Sequence, residues 1–322
     1  MGLVFVSAEE CARLLSVDDV VAEVQRALER ERRGELSWPE PRNLNLIGDA
    51  HGNHYHVKAC VLEDVPIAGI RVVSHPGDDD SGGGTRLIVL VDPATTRTVA
   101  VVDESWNYGQ RTVASVAVAA ARFAREGADT LAVVGSGHLA RLALPYYARL
   151  VPGLRRVRVT SRRPERREAF AAFVRAELSL EADAVATVEE AVEGAPLVLT
   201  ATSAAAPLVE EAWVGPGAVV AALDPAELSP ALVRAADLLL VDSREQLAKE
   251  LAECYGPGVE PDATFAEVLA GAHPGRTAPE QRVAIVSQGL ASQDVALAHL
   301  AYRRAHTPAA APAPPAPRSA GA

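Results

Sequence analysis

Residues 130–159 read TLAVVGSGHLARLALPYYARLVPGLRRVRV. Residues 131–134 are a short apolar run that enters a glycine turn. Apolar residues at Leu139, Leu142, Leu144 and Tyr147 then mark a helix, and residues 157–159 begin a second strand. Strand, turn, helix and strand within about thirty residues is the span of one βαβ unit. The turn, Gly135-Ser136-Gly137-His138-Leu139-Ala140, carries the G-x-G-x-x-A pattern. The first glycine supplies the turn angles, the second leaves room for a pyrophosphate, and the alanine lets helix and sheet pack closely. The helix N-terminus offers unpaired N–H groups and a positive dipole end. The pattern predicts a dinucleotide site built on Gly135, Ser136, Gly137, His138 and Leu139.

The residues just after the second strand bear on the cofactor. An NAD site usually carries an acidic residue there for the ribose 2′-hydroxyl, whereas an NADP site carries small polar and basic residues. Here the chain reads Thr160-Ser161-Arg162-Arg163-Pro164, with no carboxylate before Glu165. Ser161, Arg162 and Arg163 therefore favour NADP(H), with NAD(H) as the alternative. The plainer reading makes the two arginines part of a solvated basic run through Arg166 and Arg167.

The other properties of the chain set bounds. At 322 residues there is ample material for one large or two medium domains. A net charge of −11 argues against nucleic acid as the main partner. No apolar run approaches the roughly 20 residues of a membrane span, and the N-terminus lacks the features of a signal peptide. Cys11, Cys60 and Cys254 are few and far apart, which suits a reducing compartment. The expectation is a soluble cytoplasmic protein that binds no membrane. No C-x-x-C or H-E-x-x-H spacing suggests a metal, and His51, His54 and His56 are spaced unsuitably for convergence on one ion.

Along the chain, Ser7 and Ser16 read as helix caps, the second opening a helix that closes at Gly34. From 43 to 102 the pattern is β, without intervening helices, and predicts an antiparallel or mixed sheet. Alternation puts His56, Lys58 and Cys60 on one face. Residues 111–125 read as an alanine-rich helix. Beyond 159, short apolar strands at 184–186, 197–201, 218–223, 238–241 and 283–286 alternate with helices at 164–176, 188–192, 264–270 and 292–305. That alternation predicts a parallel, doubly wound sheet. The Pro/Ala-rich segment 308–322 reads as a disordered tail.

Seven landmarks in order resemble the ornithine cyclodeaminase/mu-crystallin family. They are Lys58 in HVKA, GIRVVSHPG at 69–77, Arg111-Thr112, VVGSGHLAR at 133–141, LTATSAAAPLV at 199–209, the strand ending at Asp224, and SQGLASQDVALA at 287–298. The resemblance implies an α/β fold in which a Rossmann-type doubly wound parallel sheet (114–294) is inserted into a β-rich α+β substrate and dimerisation domain (1–113 plus 295–307). It implies a homodimer and hydride transfer between a nicotinamide and the α-carbon of an amino or imino acid. Arg111 matches the arginine that clamps the substrate carboxylate, Lys58 the lysine beside it, and Arg42 a second carboxylate arginine. Asp224 matches the acid next to the amino group, proposed to assist proton transfer. If neutral, Lys58 could act as a base instead. Thr200, Thr202 and Ser203 fall where a loop meets nicotinamide and ribose, and Thr112 joins the cofactor set.

Each residue has a plainer alternative. Arg111 could pair with Glu104, Lys58 could be an exposed strand lysine, and Asp224 could simply end a strand as Asp242 does. Three features depart from the family pattern: Leu139 in place of glutamine, Trp106 and Tyr108 before Arg111, and the acidic loop at 78–80. They leave the substrate side chain open. Family activities include ketimine reduction, amino-acid dehydrogenation, redox-neutral ornithine cyclodeamination, condensation of two amino-acid-derived partners, and cofactor-dependent ligand binding without turnover.

Overall fold

Ser7 and Ser16 open the first two helices as reciprocal capping boxes, with Glu10 and Asp19 returning a carboxylate to each cap. These helices are α1 (Ala8–Leu14) and α2 (Val17–Arg33), and α2 stops at left-handed Gly34. The computed structural model describes residues 2–48, 50, 52–76 and 84–306. The tail at 308–322, the acidic loop at 78–80 and His51 lie outside the described residues.

The first sheet contains β1 (Val4–Val6), β2 (Leu36–Ser37), β3 (Asn43–Ile47), β4 (His54–Leu62), β5 (Ile67–His75), β6 (Arg86–Asp92) and β7 (Arg97–Asp103). Its order is β1-β7-β6-β5-β4-β2, with β3 also on β4. β1 runs parallel to β7 and the other pairs are antiparallel, so the sheet is mixed. The final helix (Ala291–His306) covers one face, with buried Cys60, Leu62, Ile88 and Leu90, and α2 packs on that helix. The opposite face carries apolar rows. Phe5, Val101, Val89, Ile70 and Ala59 lie in register, as do Leu44, Val57, Val72 and Leu87. Phe5, Leu44, Leu46 and Ile70 are exposed there.

The helix α3 (Ser105–Phe123) begins six residues before the expected start at 111. Asn107, Gly109 and Gln110 are buried within it, so tertiary packing carries a segment of weak helix propensity. On its two sides α3 packs against α2 and against the helix after the glycine turn (His138–Leu150), and so joins the two sheets.

The second sheet and its helices are β8 (Thr130–Val134), α4 (His138–Leu150), β9 (Arg156–Thr160), α5 (Pro164–Leu178), β10 (Glu181–Ala184), α6 (Val188–Val192) and β11 (Leu197–Thr200). Then come β12 (Val219–Ala222), α7 (Pro230–Ala235), β13 (Leu238–Val241), α8 (Arg244–Tyr255), β14 (Ala263–Thr264), α9 (Phe265–Leu269), β15 (Val283–Val286) and α10 (Ala291–His306). The order is β10-β9-β8-β11-β12-β15-β13-β14, and every pairing is parallel. β8, β11, β12, β13 and β15 are buried throughout, as strands covered on both faces must be. Strand order reverses between β8 and β11, where a ligand crevice is expected beyond the strand ends. α10 returns to the first sheet and packs on β4, β5 and β6.

Candidate active site

The crevice is present at the reversal point. It encloses about 1000 Å³ and is lined by residues 135–139, 160–163, 166–167, 186–188 and 201–206, with Val134, Leu208 and Leu223. Gly135 has φ +115°, and its N–H donates to the Thr160 carbonyl at 2.9 Å. A Cβ at Gly135 would collide with the Ala201 carbonyl oxygen, so only glycine fits. Gly137 caps α4 without a side-chain hydrogen bond, and a Cβ there would meet no protein atom within 4 Å. The open space lies at a helix start whose first N–H groups have no intrahelical partners. These are the properties a pyrophosphate requires, and the residues fit a dinucleotide.

The Ser136 hydroxyl donates to Ser161 Oγ at 3.0 Å, tying the glycine turn to the loop after β9. Arg162, Arg163 and Arg166 are exposed along that lip. Arg167 donates to the Ser161 carbonyl at 3.2 Å. Among the described residues no carboxylate forms a salt bridge with any of these four guanidiniums. Thr202 and Ser203 line the opposite wall. Thr200 lies beneath that wall, fully buried, and donates to Glu227 at 2.7 Å. Thr112 is on α3, where its hydroxyl donates to the Tyr108 carbonyl at 2.7 Å; it does not line the crevice.

A second constellation gathers on the helix-covered face of the first sheet. Lys58 and Arg71 are directly opposite on β4 and β5. Lys58 Nζ donates to the Gly289 carbonyl at 3.1 Å and to Gln246 Oε1 at 3.4 Å. Burial, followed by the charge of Arg111, pulls its pKa down from 10.5 to about 8. Arg111 is 2% exposed and its Nε donates to Asp294. Glu104 pairs with Arg71 at 2.7 Å rather than with Arg111. Arg71 also lies 3.6 Å from Asp294. Burial and the neighbouring Asp294 charge raise the Glu104 pKa. The Tyr108 ring sits among the guanidiniums of Arg71, Arg86 and Arg111, at 5.6, 4.6 and 5.2 Å from its centroid.

The remaining expected residues occupy other settings. Arg42 pairs with Glu31 at 3.2 Å and Glu245 at 2.8 Å and lies over Trp38. Asp224 is exposed, and its carboxylate accepts from the Ala226 N–H at 2.9 Å. It makes no hydrogen bond with Lys58, Arg71 or Arg111 among the described residues. Asp242 is buried, accepting from Ser287 Oγ at 2.7 Å and the Gln288 N–H at 2.9 Å, and so anchors the segment that carries Gly289. Cys60 is buried with its thiol pKa raised by burial, which suits packing. Among the described residues no three His, Cys, Asp or Glu side chains are grouped to hold a metal ion.

Sequence reasoning overlooked Arg71, Glu104 as its partner, Asp294, Glu227 and Gln246. Signals existed for two of them. Arg71 faces the same way as Lys58 in an alternating strand, and Asp294 interrupts an apolar helix. α8, which carries Gln246 and Glu245, also went unread despite its Ser243 cap and buried Leu247, Leu251 and Tyr255 at four-residue spacing.

The profile of the ornithine cyclodeaminase/mu-crystallin family matches residues 3–308. The chain belongs to this family. Within it, the ketimine reductase mu-crystallin of Mus musculus is 32% identical over 220 residues, covering 67% of this chain and 68% of its own. The Δ1-pyrroline-2-carboxylate reductase of Thermococcus litoralis, solved with NADH and L-proline, is 25% identical with a TM-score of 0.86, covering 94% of this chain and 97% of that one. An archaeal alanine dehydrogenase dimer with bound NAD is 26% identical with a TM-score of 0.85, covering 95% and 96%. Membership in the ornithine cyclodeaminase/mu-crystallin family agrees with the two-sheet architecture and with the glycine turn at the strand reversal.

Proposed function

We propose that the chain is a nicotinamide-dependent oxidoreductase acting at the Cα–N bond of an amino or imino acid, as an imine reductase or amino-acid dehydrogenase. The observation that carries this reading is the cluster of half-buried Lys58 with buried Arg71 and Arg111 in a chain that also carries the dinucleotide crevice. Arginine grips a carboxylate with two parallel bonds and lysine adds a point charge, so Arg111 and Lys58 hold the α-carboxylate. Cationic charge kept on the carboxylate is kept away from the nitrogen, which is positive in an iminium. Asp224 is the acid assigned to proton transfer at that nitrogen. Arg42 steadies the α8 end of the site through Glu245.

Residues 135–139 hold the pyrophosphate, Thr202 and Ser203 meet the ribose and nicotinamide, and Thr200 braces them from below. A bound nicotinamide supplies or accepts the hydride at Cα. Ser161, Arg162 and Arg163 select NADP(H) over NAD(H), supported by the carboxylate-free lip of guanidiniums. The pyrroline-carboxylate reductase and alanine dehydrogenase structures carry NADH and NAD respectively. The substrate domain comprises 1–113 plus 295–307 and pairs with a second copy through the open sheet face. Three unpaired cysteines support a cytoplasmic location. No helix among the described residues is long and apolar enough to cross a membrane.

The test is absorbance at 340 nm with NADPH or NADH and a panel of cyclic imines, or keto acids with ammonium. Net oxidation of the cofactor supports the reading. Conversion of ornithine to proline with no net absorbance change would identify a cyclodeaminase instead.

A further inference from the structure

The basic side chains of the first sheet continue beyond the α-carboxylate clamp. Strand register pairs His54 with His75, His56 with Val73, Lys58 with Arg71, and Val73 with Arg86. Residues directly opposite share a face, so His54, His56, Lys58, Arg71, His75 and Arg86 all lie on the side that faces the helices. The His56 and His75 rings are 5.8 Å apart, edge to face, and His56 Nδ1 lies 2.7 Å from Asn45 Oδ1.

Among the described residues, charge in this strip does not balance. Asp294 and Glu104 are taken up by Arg111 and Arg71. Asp242, the next carboxylate acting on Lys58, is bound by Ser287 and by backbone N–H groups. Lys58 is left with a carbonyl and an amide oxygen. Arg86 has no carboxylate partner among the described residues and rests on the Tyr108 ring. Burial first, then neighbouring basic groups, lower the pKa of both His56 and His75, so each offers the strip a neutral ring N–H. Arg86 and Arg111 each lie within 5.2 Å of the Tyr108 centroid, so their guanidiniums are no more than about 10 Å apart. A dicarboxylate of about four or five carbons spans such a gap with hydrogen bonds at each end.

We propose that Arg86, with His56 and His75 beside it, forms a second anion subsite, and that the substrate is an amino or imino acid whose side chain ends in a carboxylate. This rests on the reading of Lys58 and Arg111 as the α-carboxylate clamp. Arg86 then determines side-chain specificity, while Tyr108 holds its guanidinium at a set distance from Arg111.

The experiment is calorimetric titration of the full-length protein, saturated with NADPH or NADH, with five ligands. They are L-aspartate, L-glutamate, their neutral counterparts L-2-aminobutyrate and L-norvaline, and cationic L-2,4-diaminobutyrate. The acid-ended ligands are expected to bind at least tenfold tighter than the neutral ones. Arg86→Gln should bring that ratio close to one, Arg86→Lys should keep part of it, and His75→Gln should lower it independently. Equal or tighter binding of neutral or cationic ligands overturns the proposal. So does a ratio that Arg86→Gln and His75→Gln leave unchanged, or failure of all five ligands to bind. Absorbance at 340 nm with the matching keto acids and ammonium tests the oxidoreductase reading separately. A preference for acid-ended ligands without turnover would sink that reading and leave the subsite standing.

Discussion

The Thr200 hydroxyl donates to the Glu227 carboxylate across 2.7 Å, and the other Glu227 oxygen accepts from the Thr202 N–H at 2.7 Å and its hydroxyl at 2.5 Å. The Glu227 carbonyl accepts from Leu208 at 2.8 Å. One fully buried residue thereby ties down both ends of the crevice wall at 201–208. Glu227→Ala would leave the buried Thr200 hydroxyl without its acceptor, at about 1–3 kcal/mol, and would release the part-buried Thr202 N–H and hydroxyl. We expect a lower melting temperature and at least tenfold weaker dinucleotide binding by nicotinamide fluorescence. Unchanged affinity in a folded variant would show that the wall is held by other contacts.

Gly135 and Gly137 should respond differently to one added methyl group. Gly135→Ala meets both a positive φ and the Ala201 carbonyl, costing about 1–3 kcal/mol from the backbone strain alone. Gly137→Ala meets no protein atom, so its stability should stay within about 0.5 kcal/mol of the parent. Its dinucleotide affinity should nevertheless fall. Parallel thermal melts and NADPH titrations distinguish the two, and full affinity in Gly137→Ala would remove that residue from the pyrophosphate site.

Lys58 gives the site a pH dependence with a defined sign. Its pKa in the fold, about 8, lies below the ordinary 10.5, so between those values the folded chain holds fewer protons than the unfolded one. This group therefore raises stability as pH climbs through that window, and its burial as a cation is unfavourable below it. Carboxylate binding runs the other way, because the ammonium is lost as pH passes 8. Inhibition by a simple carboxylic acid should weaken above that pH, and Lys58→Met should flatten the profile. A profile identical in the variant would assign the transition elsewhere.

Asp294 holds Arg111 and lies close to Arg71, all three nearly excluded from water. Removing one partner of a buried ion pair typically costs about 3–5 kcal/mol. Asp294→Ala should therefore unfold earlier in urea. Replacing both Arg111 and Asp294 with methionine should recover much of the stability while losing carboxylate binding. Retained binding in the double variant would exclude Arg111 as the clamp.

The open face of the first sheet predicts an oligomer. Ile70 lies in the middle of an apolar row and is 42% exposed in the single chain. Ile70→Glu should convert a dimer to a monomer by light scattering after size exclusion. A parent protein that is monomeric at micromolar concentration would refute pairing through this face.

Much of this protein was legible along the chain because local patterns carry their own physics. The Ser7 and Ser16 caps and the stop at Gly34 are short-range hydrogen-bond and backbone preferences, and they appear where expected. The buried strands 238–241 and 283–286 match the apolar runs residue for residue. The early start of α3 was not legible, since Asn107, Gly109 and Gln110 are helical only because neighbouring elements bury them. Arg111 was readable as a candidate, but its partner was not. Glu104 is seven residues away and was the local choice, whereas the pairing is with Asp294, 183 residues distant.

The sequence by itself determined the strand–helix alternation that implies a parallel sheet, the glycine turn and the basic residues after β9, because each is read from neighbours within a few residues. Tertiary structure alone decided which charges meet. Lys58 finds Gly289 and Gln246, Arg42 is engaged by Glu31 and Glu245, and Asp224 stays exposed while Asp242 is buried. The reason is physical: ion pairing and desolvation depend on distance through space and on exclusion of water, and both arise only when remote segments pack.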